Sequence, residues 1–306
     1  MAQEQHAPGY QEHMDMARGA YDQLKLAEAL DHYRVAAELD PDSYDAWLGQ
    51  ARTLARMRQA EQAREAAERC LSLDPKRAEA YVTLGVLGFL KDQFAQAAAD
   101  LLKAIELAPQ DPEAYLTLAQ VYSDQQKMEE AWGIHAQASE LIAEMPESVQ
   151  RAQMEALSLH VSTYIKLAER KDAEAAELAQ QVIAYQDISP YAATLALSNL
   201  GILSARARRY DEAIEYLERA YALNPYFYRA GGALGRILIV RGRHARAAEV
   251  LGKLVEMNPE ADAGTHYAYG MTLARAHQRE EALEQYRQAL ALGLRNPDAL
   301  VARWQT

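Results

Sequence analysis

Cysteine is nearly absent from this chain: Cys70 is the only one among 306 residues. No intrachain disulfide is possible, which fits a reducing compartment. No run of 18 apolar residues occurs, so no membrane-spanning helix is expected. The opening stretch, Met1 to Tyr10, has neither a basic n-region nor an apolar h-region. A cytoplasmic location is therefore the expectation, or a periplasmic one if a signal peptide has been removed. Sustained Val/Ile/Thr/Tyr alternation is missing, which excludes a sheet protein.

Ligand constellations are missing too. The eight histidines include no i, i+4 pair, and there is no HExxH motif and no cysteine cluster. Gly231-Gly232 with Gly235 faintly suggests a phosphate loop, but no strand precedes it. The expectation is a protein that is not an enzyme, with no catalytic residue, no cofactor and no metal. Basic excess is absent as well. Residues 1–146 hold 25 acidic and 13 basic side chains, and the remainder holds 19 of each. An acidic or neutral surface argues against nucleic-acid binding, which draws its affinity from cations that neutralise phosphates. It argues equally against anionic lipid.

What the chain does have is helix-forming composition and a repeat. Half of it is hydrophobic and a quarter charged, enough to bury a large core and to exclude disorder. Ala29, Ala63, Ala97 and Ala131 are spaced 34 apart, as are Ala213 and Ala247, with Ala282 following after 35. Pro41, Pro75 and Pro109 keep the same interval, as do Pro225 and Pro259. Taking the 34-residue frames from Tyr10, Tyr44, Ala78, Pro112, Thr194, Tyr228 and Ala263, the eighth position is always small: Ala17, Ala51, Gly85, Ala119, Gly201, Gly235 and Gly270. The twenty-seventh is Ala36, Cys70, Ala104, Ala138, Ala220, Leu254 and Ala289. Small residues at fixed intervals let helices pack closely where no bulky side chain fits. Asp111 before Pro112 reads as an N-cap with proline in the first turn.

This pattern resembles the tetratricopeptide repeat, over about three quarters of the chain. The resemblance implies an all-α, right-handed α-solenoid of antiparallel helix pairs, about eight repeats with a C-terminal capping helix. The expected organisation is a flexible N-terminus over 1–9, repeats 1–4 over 10–145, an irregular extended helix pair over 146–193, repeats 6–8 over 194–296, and the capping helix over 297–306. The register breaks between Ala131 and Ala213, where Pro146 comes late and Ser148 to Tyr185 reads as two longer helices. That break is either a drifted repeat that still packs or a hinge or partner-specific protrusion.

In the family, positions 2, 5, 9, 12 and 13 of each repeat face a concave groove. Carried onto this sequence, those positions give Arg18, Leu48, Arg52, Arg56, Val82, Val86, Phe89, Leu90 and Leu116 in the early repeats. The late repeats give Ile202, Arg206, Arg229, Arg236, Ile239, Val240, Tyr267, Met271 and Arg275. Of the lysine and asparagine pattern by which co-chaperone members clamp a terminal carboxylate, only Asn199 occupies a matching place; positions 5 and 9 read Met14 and Arg18, Leu48 and Arg52, Val82 and Val86. Tyr226-Phe227-Tyr228 either staples a helix start or contacts a partner. Position 24 places His135 in the core and position 27 does the same for Cys70.

The resemblance implies a protein–protein scaffold or adaptor, similar to bacterial stand-alone members that assemble complexes. Its partner is expected to be a protein or peptide segment, acidic and partly apolar, without nucleic acid or membrane insertion. The alternatives are a self-assembling homo-oligomer and a regulatory subunit of a separate enzyme.

Overall fold

The computed structural model describes residues 9–257 and 261–295. Among them lie sixteen helices and no strand. The expected flexible segment before Gly9 and the expected capping helix over 297–306 lie outside the described residues. The first eight helices are α1 (Tyr10–Asp22), α2 (Leu26–Leu39), α3 (Tyr44–Arg56), α4 (Ala60–Leu73), α5 (Ala78–Leu90), α6 (Phe94–Leu107), α7 (Pro112–Asp124) and α8 (Met128–Glu144). The rest are α9 (Val149–Ala168), α10 (Asp172–Ile183), α11 (Pro190–Arg206), α12 (Tyr210–Leu223), α13 (Tyr228–Val240), α14 (His244–Met257), α15 (Ala263–Arg275) and α16 (Arg279–Ala291). Sequential pairing of these helices makes the chain an all-α solenoid. It divides into two compact units, 1–193 and 194–306.

The small residues of the repeat do what their size allows. A Cβ on Gly85 would stand 2.5 Å from Leu101 Cγ, one on Gly235 would stand 2.5 Å from Leu251, and one on Gly270 would stand 2.7 Å from Tyr286. Each of these three glycines thus admits a large side chain from the second helix of its own repeat. Ala29, Ala63, Ala97 and Ala131 are fully buried at the matching points.

The turn inside each repeat has a device that composition does not announce. Leu24, Arg58, Asp92, Gln126, Arg170, Arg208, Gly242 and His277 all have positive φ, between 57° and 71°. The residue after each closes a six-residue ring onto the end of the first helix, as in Lys25 N to Ala20 O and Gln59 N to Leu54 O, both 2.9 Å. This is the Schellman ending, in which a left-handed residue turns the last carbonyls back onto amides. Only one of the eight is glycine, so seven side chains sit where L-residues are disfavoured. Replacing exposed Gln126 by glycine is expected to stabilise the chain by about 0.5–1 kcal/mol in urea unfolding, since the relief of strain outweighs the added entropy of the unfolded chain. Unchanged or lower stability would mean that the turn carries no strain.

Within the first unit the first helices of neighbouring repeats touch: α1 with α3, α3 with α5, α5 with α7, and α7 with α9. In the second unit α13 touches α15 in the same way. These helices form the inner layer, and their inward positions make the candidate site. The irregular pair differs from its expectation: α9 is long at 20 residues, but α10 has only 12 and ends at Ile183 in a turn. The sequence predicts two longer helices over Ser148 to Tyr185, and only the first of them is long. Instead Tyr185 N and Ser189 N bond locally, to Val182 O and Tyr185 O, and the chain turns into α11.

Candidate functional site

In the first unit the inner face is largely occupied by its own side chains. Arg52 on α3 meets Glu113 on α7 at 2.6 Å, across the intervening α5. Glu113 is the main reason that the Arg52 guanidinium is held firmly in its charged form. The Arg56 guanidinium lies 3.8 Å from the Tyr21 ring centre and 4.2 Å from that of Tyr191. Such stacking is favourable because the ring face is electron-rich, and more so when water is excluded. Phe89 stands edge-on to Tyr164 at 6.2 Å, and the Tyr164 hydroxyl donates to Asp124 at 2.8 Å. Arg18 stays open to solvent here, in long contacts with Asp15 and Asp45 at 3.6 and 3.9 Å.

Several sequence-predicted groove residues of this unit are therefore committed elsewhere. Leu48, Val82 and Leu116 are buried in the core, because the inner positions of adjacent first helices pack on one another. They leave the candidate set. Val86, Phe89 and Leu90 are half-buried, with Phe89 resting against the core formed by α5, α6 and α7. Sequence reasoning missed Tyr21, Glu113, Tyr164 and Tyr191. Tyr21 and Glu113 stand at groove positions of their frames, so the pattern contained them. Tyr164 and Tyr191 fall where the 34-residue register is lost.

The second unit is arranged differently. Ile202 on α11, Val240 on α13, and Tyr267 and Met271 on α15 are half-buried, and Arg206, Arg229 and Arg275 are exposed. Ile239 is at the edge of burial, 9% exposed. The Tyr267 ring tilts against Tyr286 at 5.5 Å. Arg236 is half-buried on α13 and makes no hydrogen bond or ion pair among the described residues. Burial weakens its hold on its proton, opposed by nearby Tyr228 and Asp262. Tyr228 itself is structural: its hydroxyl pairs with Thr265 Oγ1 at 2.5 Å and accepts from Asp262 N at 3.3 Å. The second unit carries 15 basic and 12 acidic residues, against 17 and 32 in the first.

Neither His135 nor Cys70 forms a reactive centre. Cys70 is fully buried, its Sγ 3.7 Å from Tyr44 O, and burial pushes the thiol up to about 12. His135 is buried between α8 and α9, with Nε2 3.0 Å from both Ser158 O and Ser158 Oγ and 3.1 Å from Ser162 Oγ. Desolvation lowers its pKa, against a smaller opposing pull from the Ser158 carbonyl. A histidine depressed in the folded state binds fewer protons there than in the unfolded chain. Its contribution is complete above the unfolded value, about 6.5, and is lost as pH falls through that value toward the folded one. Denaturant unfolding from pH 8 to pH 5 should show this decline, and His135→Gln should flatten it. An equal slope in both proteins would place the pH dependence elsewhere.

Among the described residues no group of three or more metal-ligating side chains converges, and no helix is long and apolar enough to cross a membrane.

Family models described as tetratricopeptide repeat match residues 14–78, 48–112 and 166–226, residues 101–133, and residues 205–270. The first of these models alone covers more than half of the chain. No curated protein matches it by sequence. Among solved structures it is similar to the APC/C hetero-tetramer Cut9–Hcn1, with a TM-score of 0.62 and 15% identity over 95% of this chain and 55% of that one. The chain thus spans little more than half the length of that relative. It is also similar to Pseudomonas aeruginosa pilF, with a TM-score of 0.52 and 17% identity over 74% of this chain and 96% of that one. A monomeric mutant of IFIT1 with Gppp-AAAA gives a TM-score of 0.59 at 18% identity, over 90% of this chain and 67% of that one. At these identities the likeness is one of fold.

Proposed function

Because this chain belongs to the tetratricopeptide repeat family, whose repeats serve generally as protein–protein interaction scaffolds, we propose that it is a non-catalytic adaptor that docks a partner polypeptide segment on the inner face of its second unit. Such a chain would work in the assembly of a multiprotein complex. The observation that carries this reading is the contrast between the two inner faces. The first unit's polar and aromatic inner groups bond to one another, as in Arg52 with Glu113 and Arg56 with two tyrosines. The second unit presents half-buried Val240, Tyr267 and Met271 beside Arg236 and exposed Arg275.

Partly exposed apolar side chains within a polar surround mark interaction sites. A helix or extended segment laid along such a face would bury its own apolar residues there. Arginines at the edge favour an acidic partner and would raise its rate of capture more than its affinity. Display of a random peptide library against the immobilised full chain tests this. Enriched sequences should combine apolar residues with Asp or Glu, and Met271→Ala should reduce their retention. Enrichment of basic sequences, or retention unaffected by Met271→Ala, would count against the reading.

A further inference from the structure

Arg236 stands apart from three neighbouring arginines of its unit, each of which is paired with a carboxylate. Arg246 holds Glu218 at 2.6 Å and Glu249 at 2.8 Å, and Arg241 and Arg243 share Asp211. Arg236 is half-buried with no such partner among the described residues, although Asp262 lies close enough to favour its charge. The Asp262 carboxylate is already engaged, accepting from Thr265 N at 2.7 Å as the N-cap of α15. The guanidinium lies back along its own helix: a Cβ on Gly232, one turn earlier, would stand 3.1 Å from Nη1. Tyr228, which also influences the Arg236 charge, is itself held by its bond to Thr265 Oγ1 at 2.5 Å. A planar fork of donors, partly stripped of water and without an acceptor among the described residues, matches a carboxylate.

We infer that Arg236, seated over Gly232, receives one carboxylate of the docked segment, the side chain of an aspartate or glutamate. This deepens the proposed docking on the second unit and rests on it. The seat differs from a two-point clamp of a chain terminus, since one arginine does the work and Asp262 opposes a second negative charge. Asp262 is also why the seat has limited strength: the incoming carboxylate meets repulsion as well as attraction.

The test uses the full chain with 15N-labelled arginine, and two probes: N-acetyl-glutamate N-methylamide and its glutamine counterpart at equal ionic strength. The Arg236 Nε–H resonance, assigned from its loss in Arg236→Lys, should move saturably with the glutamate probe and scarcely with the glutamine probe. Gly232→Ala should weaken the response severalfold by displacing the guanidinium. Asp262→Asn, which keeps a capping oxygen, should strengthen it. Equal shifts with both probes, or a response that Asp262→Asn leaves unchanged, would overturn the assignment. The docking reading fails separately. A peptide held on the second unit whose affinity ignores Asp/Glu to Asn/Gln exchange would remove the carboxylate seat but keep the docking. A specific glutamate response with no peptide docking would do the reverse.

Discussion

Gly49→Ala is expected to destabilise the chain by about 1–3 kcal/mol, although alanine is the better helix former. The added Cβ would stand 2.2 Å from Tyr33 Cε1 and within 2.5 Å of two further ring atoms. Tyr33 is a buried side chain on α2, held between α1 and α3, so its ring has little room to give way. In an open helix the same substitution gains about 1 kcal/mol from propensity and reduced chain entropy. Here the overlap outweighs that gain. Gly19 is exposed on α1, and a methyl group there would have no neighbour within 4 Å, so it provides the internal control. Gly19→Ala should stabilise by about 0.5–1 kcal/mol. Both are read from urea unfolding of the full chain. Opposite signs for the two glycines support close packing against Tyr33 as the reason for a glycine at position 49. Equal signs would mean that helix propensity decides at both.

The second large effect concerns binding. The double variant Val240→Ala with Met271→Ala should weaken a selected acidic–apolar peptide by about 2–4 kcal/mol, that is, roughly thirtyfold to a thousandfold. Both side chains are half-buried on the inner face and present apolar surface that a docked segment would cover. Association itself costs rigid-body freedom, so loss of two anchors is felt almost fully in the dissociation rate. The corresponding pair in the first unit, Phe89→Ala with Leu90→Ala, is expected to behave differently. Phe89 packs against Phe94 and Tyr164, so its removal should appear first as lost stability. Calorimetric titration alongside urea unfolding separates the two. A first-unit variant that loses affinity without losing stability would move the docking face to that unit.

Much of the fold was legible because packing constraints leave a period in the sequence. Gly85, Gly201, Gly235 and Gly270 are small for a local reason, the leucine or tyrosine of the same repeat. Asp111 with Pro112 marked a helix start whose cap is present, Asp111 Oδ1 accepting from Glu113 N at 3.0 Å. The turns were not legible, since the left-handed positions hold Leu24, Arg58, Asp92 and other residues with no common chemistry. Nor were the contacts across the first unit's inner face. Arg56 and Tyr191 are 135 positions apart in the sequence. Their meeting depends on how far several repeats curve, which no local pattern encodes. Inner-face positions could therefore be named from the frame, but not sorted into those that bond to one another and those left open. Arg52 and Arg236 occupy the same point of their frames, yet one is paired with Glu113 and the other has no partner among the described residues.

Site-specific photo-crosslinking tests the account's central claim most directly. A photoreactive phenylalanine would replace Tyr267 or Arg275 on the inner helix α15, and Lys253 or Glu256 on the second helix α14, in the full chain. With a bound peptide selected for the wild-type protein, adducts should form from 267 and 275 and be lost when unlabelled peptide is added in excess. Positions 253 and 256 should give none. Adducts from 253 or 256 alone, or at equal yield from all four positions, would contradict docking on the inner face of the second unit.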